Sequence, residues 1–149
     1  VKNMAIFDDE YFMREAIKEA QIALEEGEVP IGAVVVCNNK IIGKGHNQTE
    51  RMVDVTAHAE MLAITAASQV LGGKYLNNCS LYVTVEPCVM CAGALAWSQL
   101  GQLVYGTSDE KRGYARCQPP LLHPRTIVKK GVLEDICKEM VVNFFKTKR

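Results

Sequence analysis

Two short segments of the sequence contain residue types that bind transition metals. The first is His-Ala-Glu at residues 58–60, and the second is Pro-Cys-Val-Met-Cys at residues 87–91. On a helix, Cys88 and Cys91 are three positions apart, so both thiols point to the same side. Two thiolates and the His58 imidazole provide three protein ligands for zinc, and a site of this kind keeps a fourth position open for water. The segments therefore predict a catalytic site that holds one Zn²⁺ per chain.

Glu60 is the residue that predicts a reaction at this site. Zinc lowers the pKa of bound water toward about 7, and a carboxylate that is not a zinc ligand can carry the water's proton to a leaving group. His58 and Glu60 lie about 200° apart around a regular helix, so they can face one site only at its N-terminal end. We therefore expect Thr56 or Ala57 to be a helix N-cap, with this helix start and the one at residue 88 converging on the metal.

Each of these residues also has a plain structural interpretation. A fourth protein ligand would close the zinc site and make it structural. The other cysteines and histidines are Cys37, Cys79, Cys117, Cys137, His46 and His123, and none of them forms a second Cys-x-x-Cys or a His-x-x-x-His pair. The two cysteines of the second segment could be small buried apolar residues, and Glu60 could be a first-turn acid that complements the helix dipole. The combination of the two segments favours the catalytic site.

Hydrophobic periodicity predicts the elements that must position these residues. We expect helices over residues 8–26, 57–71, 87–99 and 133–146, and strands over 31–37, 40–45, 80–86, 102–107 and 126–130. The first two strands form a hairpin around Asn38-Asn39. Strands that alternate with helices indicate an α/β layer fold with parallel pairing after the hairpin. The length of 149 residues predicts a single domain over residues 1–149.

The segment 108–125 has no regular period, and long irregular segments are often functional. It contains Lys111, Arg112, Tyr114 and Arg116 together with Pro119-Pro120. The formal charge of the chain is zero, but residues 1–75 carry 7 basic and 11 acidic side chains, whereas residues 76–149 carry 10 and 6. This asymmetry suits an anionic partner near the C-terminal half.

Composition also indicates the compartment. Asp8, Asp9 and Glu10 precede any long apolar run, which predicts that no signal peptide is present. No stretch of 18 consecutive apolar residues occurs, so we expect no membrane span. A cytoplasmic protein keeps its thiols reduced, and a close cysteine pair there is typical of metal binding rather than of a disulfide.

The pattern His-x-Glu followed by Pro-Cys-x-x-Cys is similar to the signature of the zinc-dependent nucleobase deaminase superfamily, whose members have the cytidine deaminase-like fold. Within that superfamily the chain most closely resembles the bacterial tRNA adenosine deaminases. The resemblance extends from about Phe12 to Phe145, and the matching residues are 28–34, 46–47, 56–60, 81–94, Gly106, Asp109 and 144–145.

This resemblance implies a fold, a reaction and partners. The fold has three layers, with a mixed five-stranded sheet between helices on both faces. The reaction is the hydrolytic deamination of adenosine to inosine in a tRNA anticodon loop, and the enzyme is a homodimer. The resemblance makes His58, Cys88 and Cys91 the zinc ligands and Glu60 the catalytic proton shuttle.

The resemblance also assigns substrate contacts. Asn47 hydrogen-bonds the flipped base, Ala59 contributes through its backbone, and Asp109 lies near the ribose. The chain departs from the family pattern at Val55, where the family usually has proline, and at Gln99, where it often has arginine. Trp97, at the far end of the cysteine-bearing helix, is expected in the core or in a dimer contact.

Two other functions remain open from the sequence. The chain could deaminate a free base or nucleoside such as guanine or cytosine, because the related guanine deaminases share the zinc motif and have a tryptophan at a similar place. It could also be a zinc-stabilised RNA-binding subunit without activity. Glu60 argues against this last interpretation, since a silent subunit has no chemical need for the carboxylate.

Overall fold

The computed structural model describes residues 7–148. The elements in chain order are α1 (Asp9–Glu25), β1 (Gly32–Cys37), β2 (Lys40–His46), α2 (Ala59–Leu71), β3 (Ser80–Val85), α3 (Val89–Trp97), β4 (Gln102–Thr107), a short 3₁₀ helix (Tyr114–Arg116), β5 (Ile127–Lys130) and α4 (Glu134–Thr147). Each helix and strand predicted from periodicity is present, with boundaries shifted by at most two residues. No helix in the described part of the chain has both the length and the apolar character needed to cross a bilayer.

Local sequence explains the ends of the first elements. The Asp8 side chain accepts the backbone N–H of Tyr11 at 2.8 Å and so caps α1. Asn38 and Asn39 both have positive φ angles, 52° and 61°, as a two-residue turn of the type I′ hairpin requires. The predicted hairpin of β1 and β2 is therefore confirmed, and so is the turn that joins its strands.

The five strands form one mixed sheet in the order β2-β1-β3-β4-β5. Strand β1 is antiparallel to both β2 and β3, whereas β3, β4 and β5 are parallel to one another. The expected parallel pairing after the hairpin holds for these last three strands. The carboxyl end of β3 consequently leads directly to Glu86, Pro87 and Cys88, and the carboxyl end of the parallel β4 lies beside it.

Helices cover both faces of the sheet, as the resemblance implied. Ala33 and Val35 belong to the core that packs against α2 and α3. Val34 and Val36 belong to the opposite core, which packs against α1 and includes Cys137 of α4. Successive residues of a strand point to opposite faces, so a continuous apolar run such as β1 requires helices on both sides. The three-layer α/β fold is therefore confirmed.

Helix α2 lies unusually close to strand β2, because the facing residues are small. Gly43 and Gly45 of β2 face Ala63 and Ala67 of α2, and a Cβ atom placed on Gly45 would lie 2.3 Å from the carbonyl oxygen of Ala59. A side chain at Gly45 would therefore push the start of α2 away from the sheet. This close approach sets the position of the helix end that bears His58.

The starts of α2 and α3 differ from the expected ones. His58, rather than Thr56 or Ala57, is the N-cap of α2. Thr56 is held in the preceding turn by Asp54, whose side chain accepts hydrogen bonds from the Thr56 N–H at 2.8 Å and from its hydroxyl at 2.7 Å. In α3 the N-cap is Cys88, so Pro87 precedes the helix instead of occupying its first turn.

Candidate active site

The three candidate metal ligands lie together. The Nδ1 atom of His58 is 3.6 Å from the Sγ atom of Cys88 and 3.6 Å from the Sγ atom of Cys91. A tetrahedral zinc ion with a Zn–N distance near 2.1 Å and Zn–S distances near 2.3 Å requires a nitrogen–sulfur separation of about 3.6 Å. The donor set and its spacing therefore fit zinc.

Within residues 7–148 this is the one group of three or more His, Cys, Asp or Glu side chains close enough to share a metal ion. The three ligand atoms lie within 4.8 Å of one another, and none of the cysteines and histidines considered as a fourth ligand joins them. A zinc site with three protein ligands has an open position, which is the arrangement of catalytic rather than structural zinc.

The start of α3 and the neighbouring ligand side chains determine the environment of the thiols. Cys88 is the N-cap of α3 and Cys91 lies in its first turn. The partial positive charge at a helix N-terminus favours anions, including thiolates. The Cys91 thiol and the His58 imidazole also hydrogen-bond to Cys88, and together they lower the pKa of Cys88 to about 4. The same contact with Cys88 raises the pKa values of Cys91 and His58. One thiolate, the form that binds metal, is thus already favoured in the protein.

Glu60 lies in the first turn of α2 and only 4% of it is exposed. Burial raises the pKa of its carboxyl to about 7, against the opposing effects of a backbone N–H and the charge of His58. Glu60 also interacts with the Cys91 thiol. A carboxyl group whose pKa lies near neutrality can both take up and release a proton, which is the property that a proton shuttle needs.

Asn47 directly follows β2 and is 7% exposed. Its Nδ2 atom donates to the carbonyl oxygen of Val29 at 3.4 Å. Its Oδ1 atom is buried and has no hydrogen-bond partner among the described residues. Buried polar atoms are nearly always paired, and an exception calls for an explanation. A hydrogen bond to a bound substrate is an explanation that agrees with the contact expected from the sequence.

The other two expected substrate contacts have different surroundings. Ala59 is fully buried and is the first residue of α2, where a backbone N–H has no partner within the helix. Asp109 is half-buried, and its Oδ1 atom accepts the backbone N–H groups of Lys111 and Arg112 at 3.1 and 3.0 Å. Asp109 therefore stabilises a turn with one carboxylate oxygen.

Open space is available beside the metal-binding group. A cavity of about 500 Å³ borders His58 and is lined by loop residues, namely Thr49, Glu50, Val53, Asp54 and Val55. On another side of the site, the Tyr114 ring packs edge-on against Tyr105, with 6.4 Å between ring centroids. Tyr114 is thereby part of the local packing rather than a free surface for stacking on a base.

Two buried carboxylates beside the site were missed by the sequence analysis. Glu28 is 2% exposed and accepts the backbone N–H groups of Glu50 and Arg51 at 3.1 and 2.7 Å. Glu86 is 6% exposed and accepts those of Asp109 and Ala115 at 3.0 and 2.9 Å. A signal was present for Glu86, because it directly follows the strand-like run 80–85, and acidic residues are almost never buried without a partner.

Comparison with known proteins agrees with this geometry. The model of the cytidine and deoxycytidylate deaminase zinc-binding region matches residues 7–107. The tRNA-specific adenosine deaminase of Aquifex aeolicus is 43% identical over 145 residues, which are 94% of this chain and 95% of that protein. The tRNA-specific adenosine deaminase of Bacillus subtilis is 46% identical over 147 residues, which are 95% and 91% of the two chains.

A solved structure provides a similar match. It comes from biochemical and structural studies of A-to-I editing by tRNA:A34 deaminases at the wobble position of transfer RNA. It superimposes with a TM-score of 0.82 and 40% identity, and the match covers 87% of this chain and 98% of that one. Fold, metal-binding group and sequence similarity agree along nearly the whole chain, and we conclude that it belongs to the zinc-binding cytidine and deoxycytidylate deaminase family.

Proposed function

We propose that this protein deaminates adenosine to inosine at a position in a tRNA anticodon loop, and that residues 1–149 act as one zinc-dependent deaminase domain. The observation that carries the proposal is the 43–46% identity to tRNA-specific adenosine deaminases across more than 90% of each chain. The metal-binding group and Glu60 provide the chemistry that this hydrolysis needs.

The reaction exchanges the exocyclic amine of adenine for oxygen and releases ammonia. His58, Cys88 and Cys91 would hold zinc, which when bound would lower the pKa of water and so make hydroxide available near neutral pH. As the oxygen of water bonds to C6, Glu60 takes up one of its protons and delivers it to N1 of the purine. The proton of the new hydroxyl then passes through Glu60 to the exocyclic amine, the C6–N bond breaks and ammonia leaves. The raised pKa of Glu60 suits both steps, because the same carboxyl must bind and release a proton near pH 7.

Asn47 and Ala59 hold the base in this scheme. The unpaired Asn47 Oδ1 accepts a hydrogen bond from the nucleoside, and the Ala59 backbone N–H is a donor at the start of α2. An enzyme that acts on a base must have it out of the stack, and anticodon loops present bases that are splayed or easily flipped. Asp109 lies on the loop that would face the ribose and the neighbouring nucleotides.

The phosphates of a tRNA require basic partners. Lys111, Arg112 and Arg116 are exposed on the segment that follows β4. Lys146 and Lys148 are exposed at the end of α4, and Arg149 lies outside the described residues. An RNA substrate explains these exposed basic side chains better than a small free base does, and it also favours the cytoplasm as the compartment.

We further propose that two copies form a homodimer through the outer face of α3 and the neighbouring loop. Trp97 is 85% exposed, so the expected core position is wrong, and this exposure supports the dimer contact. Val89 and Met90 are also exposed on α3, as are Val53 and Val55 in the loop before α2. Exposed large apolar side chains on one helix and the loop before α2 are typical of an interaction site, and a surface that pairs with itself gives a closed dimer.

The substrate is tested by incubating the zinc-loaded protein with tRNA that has adenosine at the wobble position and measuring inosine by nucleoside analysis. The control is the same tRNA with guanosine at that position. We expect inosine in the first tRNA alone and little ammonia release from free guanine, cytosine or adenosine. Rapid deamination of free guanine without any inosine in tRNA would identify a free-base deaminase and refute the tRNA assignment.

A further inference from the structure

The loop 109–115 is attached to the metal-binding segment through one buried carboxylate. The Oε1 atom of Glu86 accepts the Asp109 N–H at 3.0 Å, and its Oε2 atom accepts the Ala115 N–H at 2.9 Å. Glu86 thus binds both ends of the loop, and Cys88 follows it by two residues. Hydrogen bonds to an ionised carboxylate are roughly twice as strong as those between neutral groups.

The backbone of the loop lies directly on the carboxylate. A Cβ atom placed on Gly113 would be 2.2 Å from Oε2 of Glu86, so this close approach requires glycine. Gly113 also pairs with Cys88 in an isolated antiparallel bridge, and the Tyr114 N–H donates to the carbonyl oxygen of Pro87 at 3.0 Å. The loop and the start of α3 therefore form one connected unit.

No lysine, arginine or histidine within residues 7–148 forms an ion pair with Glu86. Its buried carboxylate is instead stabilised by the two backbone N–H groups of the loop. A buried charge without such partners is costly, so the carboxylate and the loop conformation depend on each other. The loop meanwhile directs Lys111 and Arg112 to the surface, where they are exposed.

We propose that Glu86 is a positioning residue that fixes the loop 109–115 beside the metal centre, so that Lys111 and Arg112 of this loop meet the phosphates next to the target nucleoside. The role in RNA binding rests on the proposed function. The attachment of the loop does not, since it follows from the hydrogen bonds alone.

The main variant is Glu86→Gln, which has nearly the same shape but places an amide donor against one of the two N–H groups. We expect zinc content to stay near one per chain. Amide hydrogen exchange in residues 109–115 should accelerate by about tenfold or more, as the loss of a hydrogen bond to a charged group implies. Gly113→Ala should accelerate exchange in the same residues, because its Cβ atom displaces the loop from Glu86 while the charge of the carboxylate stays the same.

The binding measurement separates positioning from charge. Glu86→Gln makes the protein less acidic, so simple electrostatics predicts tighter binding of tRNA, whereas loss of loop position predicts weaker binding. The dependence of the tRNA association constant K on salt should become shallower. The magnitude of the negative slope of log K against log salt should decrease by about 1–2, since each lost phosphate contact removes about 0.7–0.9 from that magnitude. A variant with Lys111→Ala and Arg112→Ala should show the same fall, and adding Glu86→Gln to that variant should lower the slope no further.

Glu28→Gln is the matched control, because Glu28 holds another loop through the N–H groups of Glu50 and Arg51. It should accelerate exchange around residues 50–51 and leave residues 109–115 and the salt slope unchanged. Unchanged exchange in 109–115 after Glu86→Gln would overturn the inference, as would unaltered or tighter tRNA binding with an unaltered slope. Failure of the wild-type protein to make inosine is a separate result, which refutes the proposed function instead.

Discussion

His58 and Cys88 occupy the same position in two different helices: each is the N-cap residue, and their Nδ1 and Sγ atoms lie 3.6 Å apart. Both have an extended backbone, and neither side chain makes a capping hydrogen bond to its own helix. Each side chain is therefore available to a metal ion between the helix ends. The spacing of the ligands depends on the packing of α2 and α3, so changes in that packing should affect the metal.

The first prediction concerns zinc itself. His58→Ala, Cys88→Ala and Cys91→Ala should each lose most of the bound zinc, because the remaining two side chains do not form a stable site. Elemental analysis of the purified proteins measures this, with an expected value near one zinc per wild-type chain. Cys117→Ala changes a cysteine outside the group and should keep its zinc. Equal zinc in Cys88→Ala and Cys117→Ala would contradict the assignment.

The second prediction concerns Glu60. Glu60→Gln should fold and retain zinc but lower the rate of inosine formation by a factor of about 10²–10⁴, the usual contribution of a positioned acid–base group. Single-turnover kinetics on tRNA, combined with zinc analysis, is the measurement. Glu134→Gln alters a first-turn acid of α4 and should leave the rate unchanged. A Glu60→Gln variant as active as wild type would mean that Glu60 only complements the helix dipole.

The third prediction contrasts activity with stability at Asn47. Its Oδ1 atom has no partner and its Nδ2 atom donates only one long hydrogen bond, to the Val29 carbonyl at 3.4 Å, so Asn47→Ala should cost about 1 kcal/mol of stability, while inosine formation falls about 10- to 100-fold through loss of a substrate hydrogen bond. Thr84→Val is the comparison variant that should affect mainly stability, because the Thr84 hydroxyl accepts the Gly32 N–H at 3.2 Å within the fold. That variant should lower the free energy of unfolding by about 1–3 kcal/mol. An Asn47→Ala variant with full activity would rule out the substrate contact.

The fourth prediction uses the close approach of α2 to β2. Gly45→Ala places a Cβ atom 2.3 Å from the Ala59 carbonyl oxygen, and should therefore both lower the melting temperature and weaken zinc binding through His58. Gly73→Ala is the control, since Gly73 lies outside the proposed dimer face and a Cβ atom there meets nothing within 4 Å. It should leave both the melting temperature and zinc binding nearly unchanged. Thermal unfolding and competition with a zinc chelator distinguish the two variants, and identical behaviour would disprove the packing argument.

The fifth prediction tests the homodimer. Trp97→Glu introduces a charge into the exposed apolar face of α3 and should convert a dimer into a monomer in analytical ultracentrifugation. Ile127→Glu makes the same kind of change at an exposed residue of β5 and should leave the dimer intact. A wild-type protein that sediments as a monomer at every concentration would contradict the proposed homodimer.

Local sequence determined the elements and the nature of the metal site. Apolar periodicity predicts β4 over 102–107 with the bounds that the structure has, because alternation and strand length are properties of the segment itself. The spacing of Cys88 and Cys91 likewise suffices to place both thiols on one side of a helix start. The angle between His58 and Glu60 predicts a site at a helix end, and His58 is indeed the N-cap of α2.

Tertiary structure decided what depends on distant residues. The exact start of α2 was mispredicted because Asp54 holds Thr56 in a preceding turn. Trp97 is exposed because α3 presents its end residue to the surface, which periodicity alone does not reveal. Glu86 contacts residues that lie 23 and 29 positions away in the chain, so its role became visible only when the sheet placed the ends of β3 and β4 side by side.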